Sequence, residues 1–287
     1  MSVSAVVVNY NARDHLLDCV RSLRAEGITD VVVADNASVD GSEAALRTAD
    51  PDAYWYGTGA NLGFGTGANR GAARTADTAG PYLLVCNPDV VLEPGALKAM
   101  VEAIEVDPRR GIVGPRIEDS DGELYPSART FPDLADAVGH AFLGMVAPRN
   151  PFTRRYRMLD WDHADPAEVD WVSGSCFLVR RAVWEAIGGF DERYFMYAED
   201  VDLCWRARRA GWSVVYEPAA RVIHVQGAST DRHPYWMILE HHKALLRFAA
   251  RSTTGWRRAL LPLMAAALAV RVPLAWVHRL LNRPRVK

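Results

Sequence analysis

Three short stretches of this 287-residue chain carry side chains that could do chemistry together. Asn87, Pro88 and Asp89 follow directly on the apolar run Tyr82 to Cys86. Such a run reads as a strand buried on both faces, and the proline confines the polar trio to the loop at its carboxyl end. Ligands of open α/β sheets bind just beyond those ends, so a carboxylate there is suited to a ligand or a cation. Glu199, Asp200 and Asp202 open a segment that runs to Arg209 with helical periodicity. Glu199, Asp202, Arg206 and Arg209 fall on one face, with Asp202 and Arg206 set for an i,i+4 pair, and Asp200 falls on the apolar stripe with Leu203, Cys204 and Ala207. An acid in the first turn favours the helix dipole by about 0.3–1 kcal/mol, but a surface acid does so without burial, which points to a functional carboxylate at 200. His224, at the end of the run Arg221 to Val225, reads by itself as an ordinary polar residue at a strand end.

The elements that must position these groups alternate. Val3 to Val8 is a β-branched run ending in Asn9, Tyr10 and Asn11, with Leu16, Leu17, Val20 and Leu23 following at helical spacing. Asp30 to Asp35 repeats the pattern into Asn36, Ser38, Asp40, Gly41 and Ser42. Strands alternating with helices imply a parallel sheet, and right-handed crossovers bring the polar loops to one edge. Tyr54 to Tyr56 leads into a glycine-rich stretch through Asn61, Gly63, Asn69 and Arg70. Gly63, Gly65 and Ala68 match the spacing of a dinucleotide fingerprint, but that belongs in the first strand-helix turn, where this chain has Asn9-Tyr10-Asn11. Further on the pattern predicts a helix over 95–106, a strand at 112–113, strands within 169–179, a helix over 181–187 stopped by Gly188-Gly189, and strands at 213–216 and 221–225. Residues 118–165 show weak periodicity and read as hairpins and loops.

Composition fits a folded protein with one large core or two modest ones, 49% hydrophobic and 24% charged. The four cysteines, Cys19, Cys86, Cys176 and Cys204, lie far apart without a Cys-x-x-Cys pair and read as reduced core residues. No basic amino-terminal region precedes Val3 to Val8, so no secretory signal is expected. The net charge of −2 hides an asymmetry: the stretch from His241 to Lys287 holds ten Lys and Arg and no acid, leaving about −12 on the rest.

Taken together, Asn9-Tyr10-Asn11, Asp35-Asn36 with Ser38-Val39-Asp40-Gly41-Ser42, Asn61-Leu62-Gly63-Phe64, Asn87-Pro88-Asp89, Glu199-Asp200-Val201-Asp202 and His224 with Ser229 resemble the family 2 inverting glycosyltransferases of the GT-A fold, especially bacterial rhamnosyltransferases, over residues 3 to 230. The resemblance implies an α/β fold with a Rossmann-like, mostly parallel sheet, a nucleotide-sugar half over 1–116, an acceptor and catalytic half over 117–230, and a helical tail over 231–287. It further implies a donor site at Asn9, Tyr10, Asp35, Asn36, Asn61, Gly63, Asn69, Arg70 and Asn87, where Asp35 accepts a pyrimidine ring N–H that uracil and thymine share. Asp89 and His224 would hold Mg²⁺ or Mn²⁺. The family usually shows Asp-x-Asp where Asn87-Pro88-Asp89 stands, which weakens metal affinity while the diphosphate still supplies charge. Asp200 would be the general base, and Trp171, Ser173, Gly174, Glu199 and Trp205 would line the acceptor side. The expected reaction moves L-rhamnose from dTDP-rhamnose to a polyprenyl-diphosphate-linked sugar. A UDP-sugar-dependent galactofuranosyl or hexosyl transferase, a non-catalytic nucleotide-sugar or glycan-binding protein and a nicotinamide oxidoreductase are the alternatives.

In the tail, Tyr235 to Phe248 reads as a helix, and Leu260 to Val270 is an apolar run interrupted by Arg271 and Pro273. Eleven residues fall short of the roughly 20 that cross a hydrocarbon core. With Trp256, Trp276 and the arginines, the tail is expected to lie on an anionic membrane surface, making the protein cytoplasmic and peripheral on the inner face of the plasma membrane. No nucleic-acid module accompanies the charge, so nucleic acid is not expected as a partner; a homo-oligomer is compatible with the sequence.

Overall fold

The computed structural model describes residues 2–75, 80–131, 139, 143, 147, 149–225 and 234–281. Ser229, and Arg283, Arg285 and Lys287 of the basic tail, lie outside them.

Continuous β-branched runs become the centre of the sheet. In β1 (Val3–Asn9) every residue is buried, because alternate side chains enter opposite cores. Ala5 and Val7 pack with Leu16 and Leu23 of α1 (Arg13–Ala25), whereas Val6 and Val8 pack on the other face. β2 (Asp30–Asp35), α2 (Ser42–Ala49), β3 (Tyr54–Gly57), α3 (Phe64–Ala72) and β4 (Tyr82–Cys86) follow. β1 runs parallel to both β2 and β4, and β2 parallel to β3, so the polar ends of these strands gather at one edge. After β5 (Val90–Leu92) and α4 (Ala96–Glu105) come β6 (Arg110–Glu118), β7 (Leu124–Tyr125) and β8 (Ala128–Arg129). Then follow α5 (Pro151–Tyr156), β9 (Ala167–Val169), β10 (Trp171–Val172), β11 (Cys176–Arg180), α6 (Arg181–Ile187), α7 (Glu199–Arg209) and β12 (Ser213–His224). The main sheet has the order β3-β2-β1-β4-β11-β6-β12-β5, with β11 antiparallel to β4 and β6, and β12 parallel to β6. The expected mostly parallel α/β sheet is therefore present.

Several local expectations change. The two strands expected at 213–216 and 221–225 are one strand, β12, interrupted by a register shift between Glu217 and Arg221. The stretch 118–165 contains β7, β8 and α5, whose amino end is capped by Asn150 accepting from the Thr153 N–H at 3.0 Å. The polar face of α7 is not a solvent face: Asp202 is 0% exposed, accepts from Arg206 at 2.7 Å and lies 3.3 Å from Arg251 of α8 (Pro234–Ser252).

The tail differs most. A 3-10 turn at Gly255–Leu260 leads into α9 (Leu261–Leu281), which continues through Arg271 and Pro273. The expected break is absent, and the Arg271 side chain turns to His242 of α8. Gly255–Val277 is 23 residues long, enough by length and composition to cross a membrane, and its most apolar 18-residue window has a mean hydropathy of 1.9 and is 11% buried. The four cysteines are free and buried, as expected.

Helix α3 packs closely on the sheet through Gly71, where a Cβ would sit 2.5 Å from Val6 Cγ1 and 3.2 Å from Ala34 Cβ. Gly71→Ala is expected to lower stability by about 1–3 kcal/mol through overpacking. The midpoint of urea unfolding measures it, and an unchanged midpoint would contradict this packing.

Candidate active site

The site begins at the carboxyl end of β4. Asn87 is held there by its N–H donating to Ser175 O at 2.8 Å, and Asp89 by its carbonyl accepting from the Val225 N–H at 3.0 Å. Because β5 pairs antiparallel with β12, with Val90 opposite His224, the imidazole is delivered beside the Asp89 carboxylate. His224 Nε2 lies 3.2 Å from Asp89 Oδ1 and 3.3 Å from the Asn87 side-chain nitrogen. Asp89 Oδ1 and His224 Nδ1 are buried without a hydrogen-bond partner. Asp89 Oδ1 and His224 Nε2, side by side, are a donor set that fits one Mg²⁺ or Mn²⁺. No group of three His, Cys, Asp or Glu converges among the described residues.

Asp200 arrives from the opposite side. Tyr197 and Ala198 take left-handed backbone conformations, with φ of 69° and 58°, and turn the chain into α7. Asp200 Oδ2 accepts from the Gly174 N–H at 2.9 Å and Oδ1 from the Val201 N–H at 2.8 Å. A Cβ at Gly174 would be 3.1 Å from the Asp200 Cβ, so a glycine lets the loop after β10 approach this closely. Burial raises the Asp200 pKa, against the Gly174 and Val201 N–H groups and the Arg129 charge, which favour the anion. Glu199 is pushed up to about 8, first by burial and then by the charge of Asp200. Burial and the neighbouring charge therefore favour the protonated form of Glu199, while two backbone N–H groups and the Arg129 charge favour the anion at Asp200.

One cavity of about 350 Å³ is lined by Tyr10, Asn36, Asn61, Asn87, Asp89, Trp171, Ser173, Gly174, Glu199, Asp200 and His224, all marked in the sequence. Both acids thus face one space. The remaining expected residues lie elsewhere. Asn9 is fully buried and donates to Asp35 Oδ1 at 2.8 Å and to Ser38 Oγ at 3.1 Å, fixing the Asp35 carboxylate rather than facing the cavity. Asp35 also accepts from the Ser38 N–H at 2.9 Å and lines a shallow hollow with Val39, Arg47 and Trp55. Gly63 acts through its backbone: with φ of 84°, a Cβ would come 1.9 Å from Phe195 O. Asn69 clasps Phe190 by accepting from its N–H and donating to its carbonyl, both at 2.9 Å. Arg70 points outward, 3.5 Å from Glu192. Trp205 packs edge-on against Phe248, outside the cavity.

Sequence reasoning missed part of the wall. Tyr125, Arg129 and Tyr156 come from the segment without clear periodicity, and Trp236, Met237, His241 and Leu245 come from α8. The Asn150-Pro151 pair was a helix-start signal that could have pointed to α5.

A family model described as glycosyltransferase-like family 2 matches residues 2–243. The chain is 44% identical over 266 residues to the N-acetylglucosaminyl-diphospho-decaprenol L-rhamnosyltransferase of Mycobacterium tuberculosis (strain ATCC 25618 / H37Rv), covering 88% of this chain and 86% of that one. It is 28% identical over 258 residues to a rhamnosyltransferase of Escherichia coli (strain K12), covering 87% and 93%. Among solved structures, a mannosyltransferase from Pyrobaculum calidifontis in complex with GDP-Man and Mn²⁺ superposes with a TM-score of 0.59 at 17% identity, over 100% of this chain and 76% of that one. That likeness shows the shared GT-A fold.

The carboxyl pair makes stability depend on pH. Between the ordinary carboxyl value of 4.5 and about 8, the unfolded chain has released the Glu199 proton that the folded protein keeps. The folded state then binds more protons, so stability falls as pH rises through that window. Glu199→Gln is expected to flatten the fall and to be more stable than the parent at about pH 8.5, by on the order of a few kcal/mol. Urea unfolding at about pH 5 and about pH 8.5 tests this, and parallel behaviour of the two proteins would refute it.

Proposed function

The chain belongs to the glycosyltransferase-like family 2, and on that footing we propose that it is a metal-assisted inverting enzyme that moves L-rhamnose from dTDP-L-rhamnose to a polyprenyl-diphosphate-linked N-acetylglucosamine. The observation that carries the reading is that Asp89, His224 and Asp200, from three distant segments, line one cavity. The activity named for the 44% identical mycobacterial relative supports the choice of sugars.

In this reading Asn36 and Asn61 face the donor, with the pyrimidine in the hollow at Asp35. Asp89 and His224 would hold Mg²⁺ or Mn²⁺, which offsets the charge that grows on a departing nucleoside diphosphate. As the carboxylate, Asp200 takes the proton from the acceptor hydroxyl as that oxygen attacks the anomeric carbon from the face opposite the leaving group, inverting it. Its raised pKa makes it a stronger base than a free aspartate, and its bonds to Gly174 and Val201 hold the carboxylate in place. Glu199, whose Oε2 is buried without a partner, carries a proton that a sugar oxygen can accept. Trp171 and Ser173 would complete the acceptor side.

Helix α9 supports a place on the membrane surface. Met264 and Leu268 are buried, and Trp276 Nε1 donates to Tyr235 O of α8 at 3.1 Å. A helix strapped in this way to one that walls the cavity could cross a bilayer only by drawing that wall into lipid. Its outer side carries Leu263, Val270, Leu274, Val277 and Leu280, with Trp256, Arg257 and Arg258 next to its start. This composition suits lying in the plane of an anionic leaflet, the cytoplasmic one for a nucleotide-sugar enzyme.

Two measurements test these readings. With dTDP-rhamnose and a lipid-diphosphate-linked acceptor, Asp200→Asn is expected to lose about 10²–10⁴-fold in turnover, and EDTA to abolish turnover until Mg²⁺ or Mn²⁺ is restored. A variant as fast as the parent, or a UDP-hexose used in preference, would overturn the base or the donor respectively. For the membrane, Leu274→Glu combined with Val277→Glu is expected to release the protein from anionic vesicles in a flotation assay; undiminished flotation would remove α9 as the anchor.

A further inference from the structure

The cavity wall holds a cation without an anion. Arg129, at the end of β8 and opposite Trp171 of β10, lines the cavity although only 8% of its surface is exposed. Its guanidinium carbon lies 5.0 Å from the Trp171 ring centre, 5.4 Å from that of Tyr125 and 5.7 Å from that of Tyr156. Nε donates to Pro126 O at 2.8 Å and one terminal nitrogen donates to the Tyr125 hydroxyl at 2.8 Å. These contacts orient the group and use part of its five N–H donors, leaving others for a ligand. Among the described residues no Asp or Glu oxygen lies within 4.0 Å of it. Asp200 feels its charge across the cavity but does not pair with it.

Arg157, which ends α5, repeats the anomaly. Its Nε is buried with no partner, and no acid lies within 4.0 Å of it among the described residues. Burial, and then the charge of Arg129, lower its pKa, so the two guanidiniums stand near enough to repel one another. A buried, unpaired charge is costly, and a second like charge beside it adds to that cost, so packing alone does not account for the pair. A multiply charged anion would relieve both, and guanidinium is matched to phosphate oxygens in fork geometry.

We infer that Arg129, with Arg157 beside it, binds the diphosphate of the lipid-linked acceptor. The inference rests on the glycosyl-transfer reading above and deepens it. A diphosphate could come from either substrate. The donor's is expected at Asp89 and His224, whereas Arg129 stands against Trp171 and within the electrostatic reach of Asp200, where the accepting hydroxyl must be. One sugar ring separates such a hydroxyl from the anomeric phosphate of its own lipid carrier. The aromatic rings of Trp171, Tyr125 and Tyr156 hold the guanidinium in a low-dielectric wall, which strengthens its hold on phosphate.

The test compares two acceptors with the full-length protein, varying acceptor and donor concentrations in turn: an alkyl-diphosphate-linked N-acetylglucosamine and an uncharged alkyl N-acetylglucosaminide. For Arg129→Lys and for Arg157→Gln, the ratio of kcat/KM between the charged and uncharged acceptors is expected to fall at least about tenfold, mainly through a higher KM for the charged one. An unchanged ratio overturns the inference, as does a rise confined to the KM of the donor, which would assign the guanidinium to the other diphosphate. Calorimetric titration with dodecyl diphosphate, in EDTA and without donor, supplies a readout independent of turnover. The parent is expected to bind and both variants to bind at least about tenfold more weakly; equal affinity overturns the inference. If the parent protein transfers to neither acceptor and hydrolyses no donor, the glycosyl-transfer reading fails instead.

Discussion

Three residues, Ser173 to Ser175, hold the site together. The Ser175 carbonyl accepts from the Asn87 backbone and the Gly174 N–H donates to the Asp200 carboxylate, so one short loop fixes both shores of the cavity. The loop itself is tethered by the Ser173 N–H donating to Ser127 O at 2.8 Å. It can do this because β11 follows at once and enters the sheet antiparallel to β4, with Cys176 opposite Cys86. The carboxyl end of β4 and the start of β11 are therefore neighbours by register, and the spacing of the acids descends from the backbone ladder rather than from the acids themselves.

That origin explains what could be read in advance. The strands that set the register are continuous apolar runs, Val3 to Val8 and Tyr82 to Cys86, whose burial on both faces leaves a strong signal. The polar residues that end them, and the acid pair opening α7, stand out against those runs. Asp200 was legible from the apolar stripe of its helix, but the burial of Asp202 was not, because a patterned polar face does not reveal that Arg251 from a later helix covers it. Asn69 and Arg70 sit beside functional-looking neighbours, yet α3 turns one toward the backbone of Phe190 and the other toward Glu192. Arg129 and Tyr125 stayed hidden because the two-residue strands that carry them have no periodicity and are placed only by pairing, β8 with β10 and β7 with β6, and Tyr156 because its helix is only six residues long.

The charges within the protein divide into two kinds. Asp202 pairs with Arg206 and Arg251 in the interior, Arg251 also meeting Asp191, and these contacts join α8 to α7. The groups around the cavity are left incomplete: a carboxylate oxygen at 89, an imidazole nitrogen at 224 and a carboxyl oxygen at 199 have no hydrogen-bond partner among the described residues. Leaving several polar atoms unsatisfied lowers the stability of the empty protein, and substrates that supply the missing partners recover it.

The contact between Gly63 and the Phe195 carbonyl has a consequence for anyone redesigning this enzyme. With no room for even a methyl group there, the segment leading into α3 and the aromatic segment before α7 form a single welded rim. Exchanging either segment for that of another transferase would import a mismatched half of the weld. The hollow around Asp35, Val39 and Trp55 lies away from that joint, so under the proposed placement of the pyrimidine it is where a new leaving nucleotide could be engineered without disturbing the rest.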